Sequence, residues 1–383
     1  MVRCALGHRW QCLFANDFDE SKARCYQNFF GDAGELKVLD VGKVKANQIP
    51  GIADMVWASF PCQDLSLAGN GAGLSGQRSG TFWPFWGLME ELVEQARSPK
   101  LIVLENVCGT LSSHEGRDFV SICRAFSRLG YVFGAIVIDA KLFVPQSRPR
   151  LFIVGTRKDR EIPSYLVGGG PVALWHPTAL VRAAHKLPRD LSHDWVWWTM
   201  PAPAPRRTSF ADLLEESPTS VSWNSKEDTE KILRMMSELN LKKVKAASRS
   251  SRQMVGGVYR RTRHDTRGKP VQRAEVRFDE IAGCLRTPAG GSSRQTILVV
   301  RRGEVTSRLL SAREAARLMG LPDDYELPEN YNAAYHLAGD GVVVPVVRYL
   351  AAQILEPLVV GPTVRALGVR QTRARYKAVR EAA

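Results

Sequence analysis

The chain has no uninterrupted run of about eighteen apolar residues, which argues against a membrane span. Its opening stretch, MVRCALGHRW, lacks the long apolar segment of a secretory signal. No CxxC pair occurs among the seven cysteines (4, 12, 25, 62, 108, 123 and 284), and no cysteine–histidine spacing suits zinc, so no metal site is expected. An odd cysteine count in a long chain fits a reducing, cytoplasmic setting, and a bacterial or phage-encoded protein is the expectation. Internal repeats are absent. Acidic residues are in short supply: 39 Asp and Glu stand against 53 Lys and Arg, a net charge of +14. An excess of this size favours a polyanionic partner.

What is present is ordinary globular composition. The 383 residues are 44% hydrophobic and 24% charged, which excludes wholesale disorder. The length suffices for two domains, or for one large domain carrying an insertion. The charge is uneven. Residues 1–160 carry 19 Lys and Arg with 16 Asp and Glu, whereas residues 161–383 carry 34 and 23. The C-terminal part is the better candidate for gripping a polyanion.

The first 160 residues alternate strand-like and helix-like runs. Short strands are expected over 11–15 and 37–39, with Asp19 as N-cap of a helix over 21–30. Residues 54–59 (DMVWAS) read as a buried strand bounded by Pro61, and 81–96 as a helix. The aliphatic run 101–104 is typical of a strand covered on both faces. A helix over 117–129 and strands over 131–138 and 151–154 close the series, implying a mostly parallel sheet. After residue 160 the period is lost. Residues 161–220 are rich in Pro, Gly and Trp, 226–239 suit a helix, and 241–273 hold eleven Lys and Arg against the single acid Asp265. Regularity returns at Ser311, where SARE matches a capping box with Glu314 and opens a helix over 312–319. A last apolar helix spans 346–355, and the tail from 361 is basic.

Three motifs carry chemistry. Cys62, in Phe60-Pro61-Cys62-Gln63, follows a buried strand at a Pro-fixed turn and is placed to be a nucleophile, although a lone cysteine is more often inert packing. Glu105 ends the strand LIVL in Glu105-Asn106-Val107. Desolvation there favours its protonated form, which can donate to a ring nitrogen, although a salt-bridged or capping Glu explains it equally well. Arg148 and Arg150, in QSRPR, stand at strand spacing before LFIVG and are expected to point to one side, where paired guanidinium groups suit a carboxylate or a carbonyl oxygen. A solvated basic edge is the plainer reading of that pair.

In this order the motifs resemble the DNA (cytosine-5) methyltransferase family: PCQ at 61–63, ENV at 105–107 and QxRxR at 146–150. The likeness continues through SAREAARLMGLPDDYELP (311–328), which resembles the family's ninth motif. It implies an α/β fold, an S-adenosylmethionine-dependent, Rossmann-like sheet domain interrupted by a target recognition domain. The implied boundaries are 1–160 with 330–360 for catalysis, 161–310 for recognition and 361–383 for a basic tail. It implies methyl transfer to C5 of cytosine in double-stranded DNA by a monomer. The catalytic residues would be Cys62, Glu105, Arg148 and Arg150. The cofactor S-adenosylmethionine would meet Asp17 at its ribose, Phe18 at its adenine, Asp40 at the adenine amine, and Pro61. Without the resemblance each of these acids reads as a turn former or N-cap.

The sequence also departs from the pattern. The family opens with a strand and an FxGxGG loop, whereas MVRCALGHRW resembles the helix that follows them, so this chain as it stands is expected to methylate poorly or not at all. The family's tenth motif, usually GNSV, reads Gly339-Asp340-Gly341-Val342. Gly71-Ala72-Gly73-Leu74-Ser75-Gly76 matches GxGxxG but starts twelve residues after Ser59, so the glycine-rich stretch 66–80 reads as a hinged loop, not a nucleotide site. The glycines of 289–294 suit close backbone approach to DNA. Rival readings are a non-catalytic DNA-binding remnant and an enzyme acting on transfer RNA.

Overall fold

A computed structural model of the chain describes residues 1–60, 81–264, 268–286 and 294–361. Pro61, Cys62, the loop 66–80, the glycines at 290 and 291 and the tail from 362 lie outside the described residues. In chain order the first half contains α1 (Val2–Leu6), β1 (Ala15–Asp17), α2 (Glu20–Phe30), β2 (Leu36–Val38), β3 (Met55–Ser59), α3 (Phe82–Glu94), β4 (Leu101–Val107), α4 (Arg117–Arg128), β5 (Tyr131–Asp139) and β6 (Pro149–Arg157). The second half adds α5 (Thr178–His185), α6 (Arg189–Ser192), α7 (Lys226–Arg234), α8 (Glu238–Ser248), β7 (Met254–His264), β8 (Pro270–Arg277), β9 (Thr296–Arg301), β10 (Glu304–Leu309), α9 (Ala312–Leu318), α10 (Tyr331–Asp340), α11 (Val344–Leu350) and α12 (Glu356–Val360).

These elements gather into two compact units. One comprises 1–40, 139–149 and 203–347; the other comprises 41–138, 150–202 and 348 onward. The partition differs from the boundaries expected from sequence. Residues 1–40 cluster with 203–347, and 161–202 cluster with the strands of the second unit. The Trp-rich segment is the reason for the latter. Trp175 and Trp198 are fully buried, Val196 N–H donates to Phe133 O, and the Trp198 indole donates to Val154 O at 3.0 Å. What lacks a period in sequence is a cover for β5 and β6. Gly134 makes the approach possible, because a Cβ there would lie 1.9 Å from Val196 O.

In the second unit four strands run in the order β3-β4-β6-β5. β3 and β4 are parallel, but β4 and β6 are antiparallel, so the sheet is mixed, not mostly parallel. The connection between β5 and β6 holds only one 3-10 turn (Ala140–Leu142), and a parallel return needs a crossover of a dozen or more residues. The apolar run anticipated at 101–104 is indeed buried, and the strand extends to Val107. α3 and α4 contribute Phe82, Trp86 and Phe126 to the core, with Phe82 stacked on Trp86 and Phe126 edge-on to it.

In the first unit β1 and β2 form a separate two-stranded parallel sheet. Asp19 caps α2 as expected, accepting from Ser21 N–H and Lys22 N–H. A four-stranded sheet with the order β10-β9-β7-β8 is antiparallel throughout and fills the region where no period was legible. It packs Val258, Ala274, Val276 and Leu298 against Ile232, Met236 and Val244 of the α7–α8 segment. The helix expected over 226–239 breaks after Arg234, and Ser237 caps a new one.

The capping box of α9 is present, with Ser311 accepting from Glu314 N–H and Glu314 from Ser311 N–H. Glu314 does more than cap. Its two oxygens take both terminal nitrogens of Arg308 at 2.6 and 2.7 Å, and both side chains are 0% exposed. The helical stretch Tyr331–Val360 is long and apolar enough to cross a membrane by length and composition, a feature the sequence reading did not register. More than half of its most apolar window is buried inside the protein, as in a core helix.

Removing one partner of a fully buried ion pair strands the other. Glu314→Ala is therefore expected to cost about 3–5 kcal/mol. Equilibrium urea unfolding measures it; a midpoint equal to that of the unaltered protein would show that Arg308 escapes to solvent.

Candidate active site

The end of β4 is where the second unit assembles polar groups on an apolar sheet. The parallel register sets Ser59 beside Glu105, and the antiparallel register sets Arg150 opposite Val107. Side chains two apart share a face, so Glu105 and Arg150 are diagonal neighbours on that face. Their ion pair has Arg150 Nε 3.3 Å from Glu105 Oε1, with side chains only 16% and 7% exposed. Trp57 and Phe152 meet edge-on on the same face, with ring centroids 6.0 Å apart, and the Trp57 indole donates to Ser59 Oγ. Glu105 is thus a carboxyl with a guanidinium beside it and aromatic rings nearby.

Asn106, the middle residue of ENV, ties this strand end to its neighbour. Its amide donates to Phe60 O at 3.2 Å, while its Oδ1 accepts from Val107 N–H. Phe60 is the last described residue before Pro61 and Cys62. The bond anchors the point at which the chain leaves β3 for the cysteine, a role that motif matching alone did not assign.

Arg148 is placed differently from the expectation. β6 begins at Pro149, so Arg148 precedes the strand and the spacing-of-two argument does not apply to it. Its guanidinium is buried at 2% exposure and donates to Leu285 O (2.8 Å), Gly339 O (2.6 Å) and Gly341 O (2.8 Å). Gln146, fully buried, extends the same clamp, donating to Leu318 O and accepting from Leu285 N–H. The two outer letters of the QxR triplet bind three chain segments of the first unit together. Of the partners that suit a guanidinium, a carboxylate or a carbonyl oxygen, Arg148 has taken backbone carbonyls of its own chain.

The proposed cofactor residues lie in the first unit. Asp17 ends β1 and accepts Asp19 N–H on one carboxylate oxygen at 2.9 Å. Phe18 is 69% exposed, an aromatic ring left in solvent at a strand end. Asn16 donates to Lys37 O and Leu39 O, fixing the path of β2 towards Asp40. Lys22, missed in the sequence, pairs with Asp340 at 2.8 Å. Burial alone would lower its ammonium, but Asp340, Asp17 and Asp19 more than offset that and hold its pKa above the ordinary lysine value. The Gly339-Asp340-Gly341 segment is therefore gripped by Arg148 on its carbonyls and by Lys22 on its side chain. Among the described residues no cluster of three or more His, Cys, Asp or Glu is arranged to hold a metal.

The end of β4 thus carries a buried carboxyl paired with an arginine, and the end of β1, in the other unit, carries an acid followed by an exposed aromatic ring. Residues 5–356 match the C-5 cytosine-specific DNA methylase family, and the chain belongs to that family. Among its relatives is the Type II methyltransferase M.HpaII of Haemophilus parainfluenzae, 26% identical over 370 residues, covering 91% of this chain and 84% of the relative. M.HhaI of Haemophilus parahaemolyticus is 26% identical over 345 residues, covering 90% and 87%. In fold the chain is similar to the S. pombe Dnmt2 methyltransferase, with a TM-score of 0.55 at 16% identity over 91% of this chain and 92% of that one. A Spodoptera frugiperda DNMT2 mutant gives 0.55 at 13% identity, covering 94% and 96%. The expected S-adenosylmethionine-type α/β fold and the DNA cytosine-5 methyltransferase class both hold.

The clamp at Arg148 is testable by stability. Arg148→Ala removes the buried donors of three carbonyls, and is expected to cost about 2–5 kcal/mol. Urea unfolding checks this, and Arg148→Lys should recover only part of the loss because one ammonium lacks the forked reach of a guanidinium.

Proposed function

We propose that this chain transfers a methyl group from S-adenosylmethionine to C5 of cytosine in duplex DNA, with Cys62 as the covalent nucleophile. The observation that carries the reading is the pairing of buried Glu105 with Arg150 at the strand end in register with Ser59, three residues before Cys62. Cytosine C5 is a poor nucleophile. Addition of the Cys62 thiolate at C6 makes the ring an enamine, while Glu105 hydrogen-bonds or protonates N3 as charge develops there. Arg150 holds the Glu105 carboxyl and reaches toward the O2 edge of the base. Arg148 acts through the chain segments that it holds. After methylation, departure of the C5 proton and cleavage of the C6–S bond restore aromaticity. A base inside a duplex is out of reach of such groups, so the target is flipped out.

The residues of the first unit suit the cofactor. An exposed phenyl ring at a strand C-terminal end, between two carboxylates, fits an adenosine: Phe18 for the adenine, Asp17 for the ribose hydroxyls and Asp40 for the adenine amine. Pro61 would join them. When bound, the cofactor supplies an electrophilic methyl group. The basic sheet and helices between 203 and 310 serve recognition of the target.

DNA carrying 5-fluorocytosine tests the mechanism, because fluorine replaces the proton that must leave C5. Supplied with S-adenosylmethionine, the unaltered protein is expected to form a covalent adduct resistant to denaturant at whatever rate it methylates, and Cys62→Ser to form none. An adduct on Cys62→Ser would overturn the assignment. Glu105→Gln is expected to lower kcat by about 10²–10⁴ with DNA affinity within a few-fold, measured by single-turnover methylation.

A further inference from the structure

Two charges in the first unit stand at the wrong ends of their helices. Lys22 lies in the first turn of α2, where the aligned peptide dipoles disfavour a cation. Asp340 is the last residue of α10, where they disfavour an anion. Each has the other as partner, with Lys22 Nζ 2.8 Å from Asp340 Oδ2. Asp340 is also a point at which the chain departs from the GNSV pattern, with a carboxylate where that pattern has a carboxamide. A half-exposed pair of this kind adds little to stability, no more than its two charges give up to the helix dipoles. Folding alone does not account for it.

The surroundings of the pair supply another reason. Burial pulls the Lys22 ammonium down, and Asp340, then Asp17 and Asp19, more than offset it. Lys22 is therefore the common neighbour of three carboxylates. Asp17 and Asp19 flank Phe18, the exposed ring that suits an adenine. All three acids are held in place. Asp17 accepts Asp19 N–H, Asp19 accepts Ser21 and Lys22 N–H, and Arg148 holds Gly339 O and Gly341 O on either side of Asp340. The pair itself is oriented: the Asp340 side chain is 46% exposed and that of Lys22 only 24%, so its negative end is the outer one.

We propose that Lys22 and Asp340 set the balance of affinity between S-adenosylmethionine and its product, S-adenosylhomocysteine. The proposal rests on the reading of Asp17 and Phe18 as cofactor residues and assigns a task to two residues beside them. S-adenosylmethionine carries a sulfonium cation. When the methyl group passes to C5, sulfur keeps the electron pair of the broken bond, and the product has a neutral thioether there. The two ligands are otherwise alike, so a fixed negative field favours the first over the second. Asp340 strengthens that field and Lys22 moderates it. Removing either residue therefore moves the balance in opposite directions.

Isothermal titration calorimetry of the full chain with each ligand tests this, with thermal unfolding alongside to confirm that each variant is folded. The quantity read is the Kd for S-adenosylhomocysteine divided by the Kd for S-adenosylmethionine. Asp340→Asn is expected to lower this ratio about threefold and Lys22→Met to raise it about threefold, as for one unit charge acting through a largely aqueous path. Lys22→Arg keeps the charge and should keep the ratio. Both shifts should shrink as potassium chloride is raised. An unchanged ratio in both variants, or a shift of both in one direction, overturns the proposal. Equal loss of affinity for the two ligands would make the pair a structural joint only and overturns it too. Failure of the unaltered protein to bind either ligand overturns the reading of the cofactor residues themselves.

Discussion

The antiparallel placement of β6 beside β4 is the constraint from which the pairing of Glu105 with Arg150 follows. Had β6 returned parallel, Arg150 would not lie opposite Val107, and Glu105 would have no guanidinium on its face of the sheet. The register does this without strain. A short connection after β5 compels the reversal, and a diagonal on the pleated face brings the two charges to 3.3 Å. The same strand end is fastened to the β3 exit by one amide, Asn106 to Phe60 O. Two backbone registers and one side-chain bond thus bring together the carboxyl, the guanidinium and Phe60 at the exit of β3.

Buried charges elsewhere in the chain work as joints. Arg148 spends its donors on three carbonyls, and Arg308 spends its own on Glu314, which also caps α9. A guanidinium buried this deeply needs acceptors for its terminal nitrogens; for Arg148 carbonyls of separate segments supply them and so tie those segments together, and for Arg308 the Glu314 carboxylate does. Lys22 and Asp340 do the same at a more exposed place. The arginines of the β7–β8 hairpin are the opposite case: they are exposed, and Glu275 pairs with two of them, Arg261 and Arg263, at the surface. One chain thus uses arginine in two ways, distinguishable only by burial.

Much of the local structure was legible. Asp19 as an N-cap, the Ser311–Glu314 capping box and the buried strand at 101–104 follow from short-range chemistry, and each is present. Less legible were features that depend on partners far away in sequence. Residues 161–202 have no period because they cover a sheet edge with isolated tryptophans, not with a repeating face. The strands at 254–277 were hidden by their arginines, which suit a ribbon whose outer half has no core to meet. In the site, both arginines are expected to orient Glu105; Arg150 does stand beside it, whereas Arg148 turns to backbone carbonyls.

The residue types and their order by themselves determined the family chemistry: a cysteine after a strand-like run, a carboxyl ending the next, and arginines leading into a third. That information is local: ENV ends β4, and QxRxR leads into β6. Only the tertiary structure decided which arginine meets the carboxyl. Arg148 and Arg150 are two residues apart and chemically identical, so nothing in the sequence separates them. The start of β6 at Pro149 does, sending one guanidinium into a cage of carbonyls and leaving the other beside Glu105.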